Sequence, residues 1–212
     1  MSTSISEASP RRGAPAEETR RRIEDTAEAL FKSMGYQKTA VADIARELGM
    51  SPANVYRFFA SKSAINEAIA ARMLGGVEAE LWEVARSGAP APERLRKLLV
   101  TLHQRHMTLF FSERRLHDMV TAAMSEHWGV IERFIHAIQT AIRHVLLDGM
   151  AEGSFAKLDP ETTSGSIKRA VLAFMHPVLI QECISHGMGD RMAEDLDAMV
   201  DLLLRGLRHD DC

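Results

Sequence analysis

Residues 39–62 read TAVADIARELGMSPANVYRFFASK, and this stretch decides the fold. Val41, Ile44, Ala45 and Leu48 recur at helical spacing, so 41–48 predicts a short helix that buries one face. Gly49 stands where a left-handed cap ends a helix most easily. Ser51 then offers a hydroxyl as N-cap, and Pro52 takes the first helical position, where its missing N–H does no harm. Helix, Gly-containing turn and short helix make a helix-turn-helix pattern. The second helix, 52–59, is too short to persist alone. Val55, Phe58 and Phe59 anchor it, which leaves Ala53, Asn54, Tyr56 and Arg57 facing outward. Two packed helices of any kind can show this pattern; the outward set is what points to DNA. Asn bonds an adenine edge, Arg a guanine edge or a phosphate, and a Tyr hydroxyl a phosphate. Ser61 caps a further helix, whose first-turn amides and Lys62 offer a phosphate site.

The 212 residues suffice for a compact domain or a small and a larger one, each with a core. Nearly half are apolar, at 46%, which fits a globular chain. Two Cys exclude a disulfide scaffold and suit a reducing cytoplasm. No apolar run approaches a membrane span and no signal peptide is recognisable, so the expected location is cytoplasmic, without a membrane partner. The net charge of −3 is unevenly spread. Residues 1–62 carry 10 Lys/Arg against 8 Asp/Glu, and the remainder 16 against 21. A basic head on an acidic body fits a protein that meets phosphate at one end.

Residues 1–16, rich in Ser, Pro, Ala and Gly, predict a disordered arm. Its Arg11 and Arg12 suit either a solvated tail or a minor-groove contact. Residues 17–34 predict a first helix with Ile23, Ala27, Leu30, Phe31 and Met34 on one stripe. The DNA-binding domain is expected over 17–62, joined by a long fourth helix over 61–87. Gly75-Gly76 weakens that helix by about 1 kcal/mol each; the pair marks either a flexible point or a close helix–helix contact. Gly88 to Pro92 reads as a linker. Beyond it, 93–111, 113–125, 128–152, 160–186 and 190–208 predict helices, with Asp159-Pro160 a start signal and Pro177 a kink inside its helix. The fold class is all-α: a three-helix helix-turn-helix domain followed by a larger helical bundle over 88–212, about nine helices in all. The last two helices are apolar over so much of their circumference that a second face wants a partner.

The first third of the chain resembles the DNA-binding domain of the TetR family of bacterial repressors. The resemblance runs through Gly35-Tyr36-x-x-Thr39, Asp43-Ile44-Ala45, Gly49-Met50-Ser51, Val55-Tyr56-x-x-Phe59 and Ser61-Lys62. Ala40 stands where the family usually carries Ser or Thr, leaving Thr39 to cap the helix alone, and Ala60 replaces a common Pro. The resemblance implies a homodimer held by a four-helix bundle of the last two helices. Leu172, Met175, Leu179, Cys183, Leu196, Met199, Val200, Leu203 and Leu207 are the expected interface residues. It also implies double-stranded DNA with a palindromic operator as partner, two half-sites about 34 Å apart, and a ligand-responsive repressor. The expected DNA-facing set is Thr39, Ser51, Pro52, Ala53, Asn54, Tyr56, Arg57 and Lys62. Asn54 and Arg57 would read bases; Thr39, Ser51, Tyr56 and Lys62 would hold phosphates.

Met107, Phe110, Phe111, Met124, Trp128, Phe134, Phe174 and His176 suit an adaptable cavity for a small apolar or amphipathic effector, as well as an ordinary core. The pairs His103/His106 and Cys183/His186 have chelating spacing, but no Cys cluster or His-Glu-x-x-His run supports a metal. No cofactor motif, nucleophile elbow or phosphate loop occurs, so an enzyme is not expected. The rival reading is a DNA-bound factor whose body holds a protein partner. An exposed apolar patch would favour that rival, an enclosed pocket the ligand switch.

Overall fold

A computed structural model describes residues 14–112 and 129–208, with the side chains of 14 and 109–112 excepted. Among them it is all-α, with nine helices and two 3-10 turns and no strand. The helices are α1 Ala14–Met34, α2 Val41–Glu47, α3 Pro52–Tyr56, α4 Lys62–Ala85, α5 Ala91–Ser112, α6 Gly129–Glu152, α7 Pro160–Ala170, α8 Pro177–Ser185 and α9 Met192–Gly206. The chain divides into two compact units after Ile69. Arg11, Arg12 and the helix expected over 113–125 lie outside the described residues. Residues 14–16, expected to belong to the arm, belong to α1.

The first unit packs α1, α2, α3 and the start of α4 around Ile23, Phe31, Ile44, Val55 and Ile65, all fully buried. Each such side chain contributes about 1.5–3 kcal/mol of burial. The ends of the short helices follow from sequence. Gly49, at φ +66°, closes α2: Met50 N–H reaches the Ala45 carbonyl at 2.9 Å and Gly49 N–H the Arg46 carbonyl at 3.1 Å. These are the paired bonds of a Schellman cap. Ser51 Oγ accepts from Asn54 N–H at 3.3 Å and Ser61 Oγ from Ala64 N–H at 3.0 Å. Ala40 caps α2 without a side chain; Asp43 Oδ2 instead accepts from the Ala40 N–H at 2.9 Å, half of a capping box. Thr39 gives no cap, since its hydroxyl donates to the Gly35 carbonyl at 2.9 Å.

The second unit has its core where α5 and α6 cross, at Leu95, Leu98, Leu99, Leu102, Ile142 and Val145. Arg94, 4% exposed, donates to the Ala85 carbonyl, Asp148 and Glu152 at 2.7, 2.7 and 2.9 Å, tying three helices together. Helix α5 begins at Ala91, inside the expected linker, with Pro92 in its first turn, where proline is tolerated. Helix α4 runs unbroken through Gly75 and Gly76, and a Cβ added to either would meet nothing within 4 Å among the described residues. The described residues therefore make no close contact at that pair; Leu74, Val77 and Leu81, packed on the core, hold the helix through it.

The helix expected over 160–186 is two helices. Asp159 caps α7, its Oδ2 accepting from Thr162 N–H at 2.8 Å, and Thr162 holds the carboxyl below its ordinary pKa. After Ala170 the chain turns through a 3-10 segment, Leu172–Phe174, and His176 is extended at ψ 122°. Pro177 disfavours a helical residue before it, so it starts α8 at the first position rather than kinking one long helix.

Candidate nucleic-acid interface and body cavity

Helix α3 is five residues long, shorter than expected, with Arg57 as its C-cap. Val55 and Phe59 turn inward at 0% and 2% exposure, while Pro52, Ala53, Tyr56 and Arg57 are exposed and Asn54 half-buried. Arg20 fixes the exit from the helix, donating to the Phe58 carbonyl at 2.9 Å with its guanidinium 4.0 Å from the Phe59 ring centre. Asn54 and Arg57 are brought together, with a long contact of 3.5 Å from Arg57 Nη1 to Asn54 Oδ1. Both keep donors for an external partner: a guanidinium has five N–H groups and an amide two.

Thr39 and Lys62 stand elsewhere than the sequence reading placed them. Thr39 is 1% exposed, and its hydroxyl is used inside the fold. The Lys62 ammonium donates to the carbonyls of Tyr36 at 2.8 Å and Thr39 at 3.0 Å, and sits 4.5 Å from the Tyr36 ring centre. It is a clasp between the start of α4 and the α1–α2 loop. Direct phosphate contact by Thr39 is corrected on this geometry, and Lys62 becomes a positioning residue. Beside it lies a shallow open hollow bordered by Lys38, Ala40, Tyr56 and Ser61. Lys38 is exposed there, a cation the sequence reading overlooked although it directly precedes Thr39.

In the body, a cavity of about 140 Å³ is walled by Leu74 of α4, by Ile131, Phe134, Ile135 and Ile138 of α6, and by Leu172, Met175 and Pro177 around the α7–α8 break. Among the described residues its polar wall is His106, Lys168, Arg169 and His176. Of the expected set, Phe134 and His176 meet here. Met107 instead borders a separate open hollow with Glu80 and Gln104. Phe174 packs against His103, ring centres 6.3 Å apart, and its carbonyl accepts from His103 Nδ1 at 2.8 Å. Met124, Trp128 and the side chains of Phe110 and Phe111 lie outside the described residues. Lys168 donates to Gln139 Oε1 at 2.7 Å. Burial, with weaker repulsion from His103 and His176, pushes the His106 pKa down, against an opposing Leu102 carbonyl. Among the described residues no three His, Cys, Asp or Glu side chains gather to hold a metal.

The expected dimer set divides by burial. Met175, Leu196, Val200 and Leu207 belong to the protomer's own core at 7%, 1%, 0% and 4% exposure, so they cannot face a second copy. Leu179, Cys183, Met199 and Leu203 are half-buried, and Leu172 is 46% exposed at the cavity. On α8 and α9 the exposed large apolar residues are Val178 and Leu202, at 45% and 64%.

Two family models match the chain in succession: the bacterial regulatory proteins of the tetR family over residues 23–69, and the tetracyclin repressor-like C-terminal domain over 91–194. The chain belongs to the TetR family. This TetR protein is therefore a transcription regulator with a helix-turn-helix DNA-binding domain, and not an enzyme. Solved structures share its fold at low identity. A TetR-family regulator from Pectobacterium atrosepticum is 20% identical over 93% of this chain and 98% of its own, with a TM-score of 0.74. SmeT, repressor of the Stenotrophomonas maltophilia multidrug efflux pump SmeDEF, is 20% identical over 91% of each chain, with a TM-score of 0.65. Thermus thermophilus FadR, a repressor solved with lauroyl-CoA, is 22% identical over 91% of this chain and 98% of its own, with a TM-score of 0.64. No curated protein matches the TetR chain significantly in sequence. Among the described residues no helix is long and apolar enough to cross a membrane.

Proposed function

We propose that this TetR protein is a cytoplasmic homodimeric repressor that binds a palindromic operator and leaves it when a small molecule occupies the body cavity. The observation that carries the reading is the pairing of two features in one chain. Helix α3 holds Ala53, Tyr56 and Arg57 outward, with Asn54 half-buried beside them, on a buried Val55 anchor, and the body holds a largely apolar cavity. Asn54 and Arg57 read base edges; Ser51, Tyr56 and Lys38 hold phosphates and set register. Val178 and Leu202 are the centre of the two-fold interface, with Leu179, Cys183, Met199 and Leu203 around them. Release follows if the effector prefers a conformation whose two reading heads no longer match one turn of DNA. Complete switching needs a preference of about 5.5 kcal/mol. The cavity favours this over a body that holds a protein partner. Its lining is largely apolar and concave, as small-molecule sites are, which supports the ligand reading.

The experiment is fluorescence anisotropy of the dimer on the duplex it selects, titrated with a panel of apolar and amphipathic small molecules. A compound that frees the DNA in wild type, and not in a variant with Ile138→Trp filling the cavity, supports the switch. Release by the same compound from both would place its site elsewhere.

A further inference from the structure

The cavity has a defined polar group as well as an apolar wall, and its geometry restricts the ligand. His106 lies on α5 with Nδ1 2.8 Å from the carbonyl of Leu102, one turn back in the same helix. A carbonyl oxygen only accepts, so Nδ1 carries the hydrogen and donates. In a neutral imidazole the other nitrogen, Nε2, is then a bare acceptor. Because Nδ1 is turned back to its own helix, Nε2 is on the ring edge away from the backbone. Nε2 has no hydrogen-bond partner among the described residues, and it is not among their buried unpartnered atoms. His106 is a wall residue of the cavity, which α6 lines with Ile131, Phe134, Ile135 and Ile138. The neutral state is the one its surroundings favour, since it is enclosed and has two further imidazoles, His103 and His176, nearby.

Size gives the second restriction. The cavity is partly open to solvent and measures about 140 Å³, close to a closed apolar cavity of about 150 Å³, engineered in another protein, that holds one benzene ring. The polar groups already paired are not available to a ligand on equal terms: Lys168 is engaged by Gln139, which in turn donates to Glu161 at 2.8 Å. We propose that the effector is an uncharged, ring-sized hydroxy compound of the phenol class, its O–H donating to His106 Nε2 and its ring lying against Phe134, Ile135 and Ile138. An apolar ring without a donor would leave Nε2 desolvated and unmet, and a ring carrying only an acceptor would set two lone pairs against each other. This inference rests on the ligand-switch reading above and adds the chemistry of its ligand.

The test is calorimetric titration of the full-length wild-type protein with phenol, anisole, toluene and benzoate as probes. These share a ring and differ in donor, acceptor and charge. The proposal expects phenol to bind about five- to tenfold more tightly than toluene or anisole, the worth of one net hydrogen bond. Benzoate should bind more weakly than phenol. In H106F, which keeps a ring and removes the acceptor, the phenol preference should vanish while toluene still binds. If H106F does not fold, the four probes on wild type still decide. Equal binding of phenol, anisole and toluene would overturn the donor inference and leave a ligand cavity standing. Tighter binding of benzoate would overturn it in favour of the cationic Lys168 and Arg169 wall. If no probe binds, this inference falls, while the ligand-switch reading stands or falls on the anisotropy titration with the wider panel.

Discussion

Lys62 shows how far a single side chain can depart from its apparent task. From sequence it is a cation beside a DNA-reading helix; in the fold its ammonium is used up on the carbonyls of Tyr36 and Thr39. Lys62→Met keeps the stem and removes the clasp, and should lower stability by about 1–3 kcal/mol, the range for unmet polar groups and hydrogen bonds to charge. Urea denaturation measures it. Arg57→Ala should leave stability within about 0.5 kcal/mol, as at other exposed sites. It should cost about 1–3 kcal/mol on the selected duplex and much less on random DNA, which binding isotherms on the two duplexes will show. Equal losses on both would reassign Arg57 to phosphate. His106 adds a pH effect. Its pKa is lowered in the fold, so as the pH falls through the ordinary 6.5 the unfolded chain takes up the proton first, and stability declines. His103, His176, Lys168 and Arg169 share its surroundings. Thermal melting between about pH 7.5 and about pH 5.5 should therefore fall more in wild type than in His106→Asn; an identical fall would assign the acid sensitivity to other groups.

At the scale of elements, the short helices were legible because their signals are local. Ser51, Pro52 and Gly49 act within four residues of themselves, and Asp159-Pro160 starts α7 in the same way. What depends on distant partners was not legible. The Lys62 clasp spans 23 and 26 residues. Pro177 has one sequence and two readings, a kink or a start, and the extended His176 before it selects the start. In α9 the apolar stripe was plain, but not which part faces the protomer: Leu196 and Val200, with Leu207 just past the helix, went to the core and Leu202 to the surface. Gly75-Gly76 was legible as a weak point but not as an unbroken helix, since packing of Leu74 and Leu81 overrides propensity. With open space at both, Gly75→Ala and Gly76→Ala should each stabilise by about 1 kcal/mol and raise the melting temperature by about 2–4 °C. A fall in calorimetric melting temperature would mean that one of them touches a neighbour.

For the whole molecule, two all-helical units make a TetR regulator from a basic head and an acidic body, and in the proposed dimer two-fold pairing would turn one short reading helix into a specific one. Leu202, 64% exposed on α9, is where that pairing should be most sensitive. Leu202→Glu should convert the dimer to a folded monomer, seen by sedimentation with unchanged helical circular dichroism, and a variant that remains dimeric would move the interface off α9. The account as a whole is tested most directly by incubating the purified protein with random duplex DNA, recovering what it binds and sequencing it. The expected result is an inverted repeat whose half-sites are centred about one helical turn, roughly 34 Å, apart. Recovery of no enriched sequence, with binding that simply fades as salt rises, would contradict it: the head would hold phosphates without reading bases.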